Sequence, residues 1–193
     1  MSAMELPSRS VDCGDFALRR WRAESDFRPL FQLIEESLDH LRPWMPWVAR
    51  HSRETTANFL ARCDPGWESG DAFRYAITRD GTLAGSISLY RAADGRGQVM
   101  GYWLHPAATG RGLATRAASA LVTEAFAMPE VEYVEIVHDL ANKASGAVPK
   151  RLGFSEVRRE PAQPPLAPSD AGINVVWQLN RPGPARTAVT RAT

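Results

Sequence analysis

The feature that most restricts how this chain can fold is the stretch 99–115, where an apolar segment leads into a glycine-rich turn. Pro106 stops the segment, which reads as a buried strand, and apolar residues recur at helical spacing beyond the turn. Gly110 and Gly112 remove the side chains that would keep a bulky anion from the first-turn N–H groups, which have no partner within the helix. With the charge of Arg111, this pattern predicts a phosphate or pyrophosphate site directly after a strand.

Three kinds of nucleotide site could use such a turn. A P-loop needs Lys-Ser or Lys-Thr after its last glycine, and Leu113 and Ala114 stand there instead, which excludes it. A dinucleotide-binding turn needs a third Gly or Ala where Thr115 stands and a parallel βαβ unit, whereas the upstream segments read as hairpins; this interpretation remains an alternative. The third kind holds the pyrophosphate of coenzyme A, and the rest of the chain favours it.

Composition bounds the class of protein. The 193 residues are expected to form one domain with a sizeable core. A formal net charge of +1 without a Lys/Arg run argues against nucleic-acid binding, and the lack of an apolar run of about 18 residues argues against a membrane span. Cys13 and Cys63 are too few for a disulfide framework or a metal site, so we expect no metal and a reducing, cytoplasmic location.

The periodicities along the chain predict strands and helices in a mixed order. Strands are predicted at 16–21, 72–78, 82–90, 98–104, 133–138, 154–159 and 172–180. Helices are predicted over 27–41 with Ser25 as its cap, from Ser52 to about 63 where Pro65 and Gly66 follow, from 113 to Pro129, and over 142–152. We therefore expect an α+β domain at 15–180, after a loose leader at 1–14 and before a disordered tail at 181–193.

This order resembles that of the GNAT acyl-CoA-dependent N-acyltransferases. The resemblance rests on Gly-Tyr-Trp-Leu at 101–104 before Thr-Gly-Arg-Gly-Leu-Ala at 109–114, and on 139–154, which is similar to the second helix of that superfamily. The loop Arg-Pro-Trp-Met-Pro-Trp at 42–47 is similar to that of the RimJ/RimL-like ribosomal-protein N-terminal acetyltransferase branch. The resemblance covers roughly residues 15–180 and implies a mixed, mostly antiparallel central sheet flanked by helices, splayed between the strands at 98–104 and 133–138.

The resemblance also implies where an acyl-CoA binds. It assigns the pyrophosphate of acetyl-CoA, or of another acyl-CoA, to Thr109, Gly110, Arg111, Gly112, Leu113, Ala114 and Thr115. The backbone of Trp103, Leu104 and His105 would face the pantetheine and the thioester oxygen, with Leu104 in an oxyanion-type role. Asn142 would hydrogen-bond the pantetheine arm, although Asn at a helix start is also a common N-cap.

Candidates for the chemistry and for the amine acceptor follow from the same resemblance. Ser145 would protonate the leaving thiolate, although a Ser near a helix start more often bonds the backbone. His138, at the end of a strand, could relay a proton or be a histidine satisfied within the core. Trp44, Trp47 and Tyr102 would line the acceptor pocket, and packing is the alternative for each of them.

Two positions depart from the family pattern. Thr109 stands where Gln or Arg is usual, and a glutamate that some relatives carry beyond the second helix has no counterpart, since the matching position falls near Pro164. The general base is therefore open. An α-amine with a pKa of roughly 7.7–8.0 is about a tenth neutral at pH 7, whereas a lysine is neutral in about one molecule in a few thousand. A site without an evident strong base suits an α-amine better.

These observations predict an N-acyltransferase that moves an acyl group, acetyl in the first instance, from acyl-CoA to a primary amine by direct attack in a ternary complex. The acceptor would be a protein or peptide N-terminus or a small amine. The alternative is an acyl-CoA-binding sensor without turnover. A homodimer is left open.

Overall fold

The computed structural model describes residues 6–183. The strands are β1 (Ser10–Asp12), β2 (Ala17–Arg20), β3 (Ala72–Arg79), β4 (Thr82–Arg91), β5 (Gly97–Leu104), β6 (Tyr133–Asp139), β7 (Ser155–Pro161) and β8 (Ile173–Asn180). The helices are α1 (Ala23–Glu35), α2 (Leu38–Leu41), α3 (Arg53–Ala61), α4 (Cys63–Ser69), α5 (Leu113–Ala127) and α6 (Lys143–Arg151), with short 3-10 helices at Pro46–Arg50 and Pro106–Ala108. Within the described residues, no helix is long and apolar enough to cross a membrane.

The strands form one eight-stranded sheet in the order β1-β2-β3-β4-β5-β6-β8-β7. Every neighbouring pair is antiparallel except β5 and β6, which run parallel. That parallel pairing begins at Gly97 and Tyr133 and ends at Met100 and Ile136. Beyond it, β5 continues to Leu104 and β6 continues to Asp139 without pairing to each other. The predicted fold class and the splay between these two strands are confirmed.

Side-chain alternation along the strands produces a different core on each face of the sheet. The larger core contains Met100, Leu104 and Ile136 and packs against the apolar stripe of α5, which includes Leu121. The smaller core joins Ala76 on β3 to apolar side chains of α1 and α3. The described chain therefore forms three layers, with the sheet between the two groups of helices.

The predicted leader contains a strand. Residues 10–12 pair with 17–19 as β1, and the Tyr75 hydroxyl donates to Ser8 O at 2.7 Å. A three-residue strand is too short for its periodicity to be detected in the sequence. At the other end, the Arg181 guanidinium donates to Val131 O and Phe126 O at 2.8 Å each, so the folded unit includes this first residue of the predicted tail. Residues 1–5 and 184–193 lie outside the described part of the chain.

Helix boundaries match the prediction where a capping side chain is present. Ser52 accepts from Thr55 N at 3.1 Å in a reciprocal capping box, as expected for the start of α3. Ser25 is not a cap: α1 begins at Ala23, and the Asp26 carboxylate accepts from Arg22 N at 2.8 Å. The helical path also passes residue 63, because Pro65 lies in the first turn of α4, where a missing N–H costs nothing.

Candidate active site

Beyond Met100, the edge of β5 that faces β6 has no strand partner among the described residues, which leaves a gap between the two strands. His105 N donates to Ala84 O at 2.8 Å, and the Trp103 carbonyl lies so close to Gly85 that a Cβ there would collide with it. Because backbone groups alternate in direction along a strand, those of Leu104 point away from β4 and toward the gap. The prediction that Trp103 and His105 also present their backbone to the gap is corrected, because the Trp103 carbonyl and the His105 N–H face β4.

The glycine-rich turn has the backbone shape that an anion site requires. Gly110 and Gly112 adopt the left-handed conformation at φ +76° and +73°, and a Cβ on either would meet nothing within 4 Å. Gly112 caps α5 and, as a glycine, has no side chain that could hydrogen-bond the first-turn N–H groups of that helix. The first-turn donors on Leu113, Ala114 and Thr115 are thus left to solvent or a ligand. An open cradle beside uncapped N–H groups fits a pyrophosphate.

The side chains of Thr109 and Arg111 in this turn differ in whether they can bind a ligand. Thr109 Oγ1 donates to Pro106 O at 2.7 Å, so its hydroxyl stabilises the preceding 3-10 turn. Arg111 is exposed beside the two glycines and brings a positive charge to the open face. The turn therefore offers backbone donors and one guanidinium, and Thr109 closes the loop instead of extending from it.

The start of α6 lies across the gap from β5. Asn142 caps the helix, its Oδ1 accepting from Ser145 N at 3.1 Å. The Tyr102 hydroxyl donates to Ser145 O at 3.1 Å and lies 3.3 Å from Ser145 Oγ. Burial raises the pKa of Tyr102 to about 12, against the lowering effect of the bond to Ser145, so the phenol keeps its proton at neutral pH. Tyr102, predicted on the acceptor side, thus brings a protonated hydroxyl to Ser145.

His138 is held from both sides of its ring. Nδ1 lies 2.7 Å from Asp139 O, and Nε2 lies 3.0 Å from the indole nitrogen of Trp177. An indole N–H can only donate, so Nε2 is the acceptor and Nδ1 carries the hydrogen. The ring also lies against Gly146, where an added Cβ would be 2.6 Å from it. Because both nitrogens are hydrogen-bonded, this geometry favours the second interpretation of His138, a satisfied histidine, over the proton relay.

A cleft of about 920 Å³ lies next to the gap, on the opposite side from α5. It is lined by α1, the segment that includes Trp44 and Trp47, α3, the middle of β4 and β5, and the loop between β7 and β8. The Trp47 ring lies 6.1 Å from that of Trp103 and remains 40 % exposed. The predicted acceptor residues therefore share one cleft, and sequence reasoning missed the walls made by α3 and by the loop before β8.

That loop is fastened to the rest of the site by backbone hydrogen bonds. The Asp139 carboxylate accepts from Ala141 N and Ala171 N at 2.8 Å each, from Gly172 N at 2.9 Å and from Ile173 N at 3.3 Å. Burial raises the pKa of Asp139, but these four donors outweigh it and the pKa lies below its ordinary value. Asp139 thus fixes the loop at the end of β6.

The same loop also touches the tryptophan-bearing segment. Ser169 N donates to Pro43 O at 3.0 Å, which joins two walls of the cleft. Neither the segment 42–47 nor the loop 161–171 has a sequence pattern that predicts this contact. Within residues 6–183, no three His, Cys, Asp or Glu side chains come together in an arrangement that could hold a metal.

Comparison with known proteins agrees with this geometry. The family model described as "Acetyltransferase (GNAT) domain" matches residues 15–155. The chain is 31 % identical over 136 residues to the "Putative ribosomal N-acetyltransferase YdaF" of Bacillus subtilis (strain 168), a match that covers 68 % of this chain and 73 % of that protein.

Solved structures share the fold at lower identity. The RimL ribosomal L7/L12 alpha-N-protein acetyltransferase, solved in complex with coenzyme A, has a TM-score of 0.79 at 22 % identity, covering 86 % of this chain and 94 % of that one. The microcin C7 self-immunity acetyltransferase MccE, solved with acetyl-CoA and AMP, has a TM-score of 0.78 at 18 % identity, covering 86 % and 93 %. The family match, the relative and the site together show that the chain belongs to the GNAT acetyltransferases and is an acyl-CoA-dependent N-acetyltransferase.

Proposed function

We propose that the protein transfers the acetyl group of acetyl-CoA to the α-amine of a peptide or protein N-terminus, in the cytoplasm, by direct attack in a ternary complex. The observation that carries the proposal is the position of β5. Its end leads into the glycine-rich turn, its Leu104 backbone faces the gap, and residues 100–103 line the cleft. One strand therefore borders both the anion cradle and the acceptor cleft.

The residues of the chain would divide the work between binding and polarisation. Backbone N–H groups of residues 110–115, with Arg111, would bind the pyrophosphate. Asn142 spends its Oδ1 on the helix cap, which leaves its amide NH₂ to donate to the pantetheine arm. Acetyl-CoA supplies the activated acetyl group as a thioester. The Leu104 N–H would donate to the thioester carbonyl oxygen and stabilise the negative charge that develops there.

In this proposal, the hydroxyl groups of Ser145 and Tyr102 assist the departure of the thiolate. Their hydroxyl oxygens lie 3.3 Å apart at the gap, and Tyr102 stays protonated at neutral pH. The Ser145 hydroxyl can donate a hydrogen bond to the sulfur as the C–S bond breaks, while the Tyr102 hydroxyl donates to Ser145 O and orients this residue. A free thiol has a pKa near 8.5, so the leaving group needs only a modest donor.

The acceptor class follows from the cleft and from the amine itself. Aromatic rings of Trp47 and Trp103 offer an apolar wall, and the cleft is open to solvent at Trp47. The similarity to proteins named as ribosomal N-acetyltransferases supports a ribosomal protein N-terminus as the acceptor. An α-amine is also neutral in about a tenth of molecules at pH 7, which a lysine is not.

An acceptor screen tests the proposal. Peptides with free and with blocked N-termini, lysine-containing peptides with blocked ends, and small amines are each incubated with acetyl-CoA and with longer acyl-CoAs, and released thiol is measured. We expect thiol release with acetyl-CoA and free N-termini. Acyl-CoA binding without thiol release for any acceptor would show a sensor, and activity on blocked lysine peptides alone would overturn the acceptor class.

A further inference from the structure

Charge is distributed unevenly over the walls of the acceptor cleft. Of the described residues that line it, two are arginines, Arg50 and Arg62, and two carry carboxylates, Asp139 and Asp170. The carboxylates belong to the end of β6 and to the loop before β8. The arginines belong to the segment that runs from the end of the 3-10 helix at Pro46–Arg50 to the residue that caps the C-terminus of α3. Positive and negative groups therefore lie on different walls.

The two carboxylates are already used by the backbone of the protein. Asp139 accepts four backbone N–H groups, two on each oxygen, and Asp170 Oδ2 accepts from Ala167 N at 2.7 Å. Because an ionised carboxylate has about four lone-pair sites, these bonds fill the capacity of Asp139. Asp139 therefore has no site left for a basic side chain of an acceptor, although its charge still attracts an ammonium group toward the gap.

The two arginines have no such partner. Among the described residues, neither Arg50 nor Arg62 forms an ion pair with a carboxylate, and both are exposed. Arg62 Nε donates to Asn58 O at 3.2 Å, which leaves the N–H groups of its two Nη atoms for a ligand. Arg74 adds a third guanidinium: its Nη1 donates to Arg62 O at 3.0 Å, and its Cζ lies 5.3 Å from the centre of the Tyr90 ring, which lines the cleft. We call these three residues the arginine wall.

We propose that the acceptor is an acidic N-terminus, whose α-amine lies at the gap and whose Asp or Glu side chains at following positions bind Arg62 and Arg50. This inference rests on the proposed N-acetyltransferase function and narrows its acceptor class. A carboxylate fits a guanidinium with two parallel hydrogen bonds. A lysine or arginine at the same position of the acceptor would meet like charge. Charge thus orients the chain, with its ammonium end toward Asp139 and its carboxylates toward the arginine wall.

The sheet gives the spacing between these two ends. Arg74 on β3 pairs with Ser88 on β4, and Ser88 pairs with Gly101 on β5, where the gap begins. Neighbouring strands lie about 4.8 Å apart, so the backbone of Arg74 is about 10 Å from that of Gly101. An extended chain advances about 3.3 Å per residue. The expected place of the bound carboxylate is therefore the third or fourth residue of the acceptor.

The test uses three peptides that share a free first residue and carry Glu, Gln or Lys at the third and fourth positions. We measure kcat/KM from released thiol at saturating acetyl-CoA. The unaltered enzyme should prefer the Glu peptide over the Gln peptide roughly threefold to tenfold, between the effects of an exposed ion pair and of a charge-assisted hydrogen bond. Arg62→Gln and Arg50→Gln should each reduce this preference, and Arg62→Glu should shift it toward the Lys peptide. Arg28→Gln, at an exposed arginine of α1 outside the cleft, is the matched control and should keep the preference.

Salt supplies a second measurement. Raising the ionic strength from about 0.05 M to about 0.5 M should shrink the preference, because mobile ions screen exposed charges. Equal kcat/KM for the Glu and Gln peptides, or a preference that survives in an Arg50→Gln/Arg62→Gln double variant, would overturn the proposal. If that double variant fails to fold, the preference of the unaltered enzyme and its response to salt still decide the question. Thiol release with free N-termini but without a preference would refute this inference alone, whereas no thiol release with any amine would refute the proposed function itself.

Discussion

The two sides of the active site are built in different ways. The cofactor side that we propose is formed mainly by one continuous segment, in which Leu104 and the turn 109–115 present mostly backbone groups, with Asn142 and Ser145 added from the start of α6. The acceptor side is formed by side chains from α1, the segment around Trp47, α3, β4 and the loop before β8. A backbone site tolerates most side chains as long as its glycines stay, whereas a side-chain site changes with each residue. We therefore expect substitutions to change the choice of acceptor more readily than the choice of cofactor.

The largest effect should come from the junction of the two sides. Ser145→Ala removes the hydroxyl that lies 3.3 Å from the Tyr102 hydroxyl, so we expect kcat to fall roughly tenfold to a hundredfold with little change in the Kd of acyl-CoA. The effect belongs at the low end of proton-transfer catalysis because a thiolate is a good leaving group. Ser155→Ala, on the exposed strand β7, is the control. An unaltered kcat would leave Ser145 as a structural residue and make Tyr102→Phe the next variant to measure.

The cofactor side can be broken at one glycine. Gly112→Val should weaken acyl-CoA binding at least tenfold, about 1.4 kcal/mol, because its side chain would occupy the open cradle. The φ of +73° adds a conformational cost of about 1–2 kcal/mol to any such variant. Gly95→Val carries the same cost at the same φ, with nothing within 4 Å and outside the site, so it separates strain from blocked binding. Equal affinities for acyl-CoA in the two variants would contradict the anion site.

The acceptor side should respond more weakly and more selectively. Trp47→Ala removes a ring that is 40 % exposed and 6.1 Å from the Trp103 ring. We expect the acceptor KM to rise roughly twofold to tenfold, the range of an aromatic contact, with an unchanged acyl-CoA KM. Val157→Ala, which truncates an apolar side chain 46 % exposed on β7, should leave both values as they are. If both KM values rose together and thermal stability fell, Trp47 would be a packing residue.

The smallest effect, on thermal stability, should come from Asp139, which holds the loop between β7 and β8. Asp139→Asn keeps the shape but removes the charge that four backbone N–H groups face, so we expect Tm to fall by about 2–4 °C at pH 7. The pKa of Asp139 is lowered by folding, so its contribution is present above the ordinary carboxyl pKa and is lost as pH falls through the folded value.

The stability difference between Asp139→Asn and the unaltered protein should accordingly shrink below about pH 4, as the carboxyl becomes protonated first in the unfolded chain and at still lower pH in the folded one. Thermal unfolding followed by circular dichroism from pH 3 to pH 8 measures it. Asp39→Asn, at a fully exposed carboxylate on α2, serves as the control. A difference that stays constant with pH would show that the amide disturbs packing rather than charge.

The same contrast explains what the sequence could and could not reveal. The strand, the turn and the start of α5 are consecutive, so their spacing predicted the cradle, whereas the gap beside β5 was implied by the family resemblance. By contrast, His51 Nε2 lies 2.9 Å from Glu35 Oε1, and these two residues meet only because the proline-containing segment between them packs back on α1. Likewise the bond between Trp177 and His138 joins β8 to β6 across the sheet, and no local pattern reports it. A site built from consecutive residues can be predicted from the sequence, whereas contacts between residues that are distant in the sequence cannot.

The bond between Ser169 and Pro43 has a consequence for the order of events in the reaction. It joins the two segments that carry these walls, so on the proposed function we expect the join to hinder a polypeptide from lying across the cleft at that point. We would then expect an acceptor to enter by one of its ends, because a residue in the middle of a folded segment would have to bring the rest of its chain past the join. Chain ends would then be selected by the route of entry, before any group in the cleft recognises the amine.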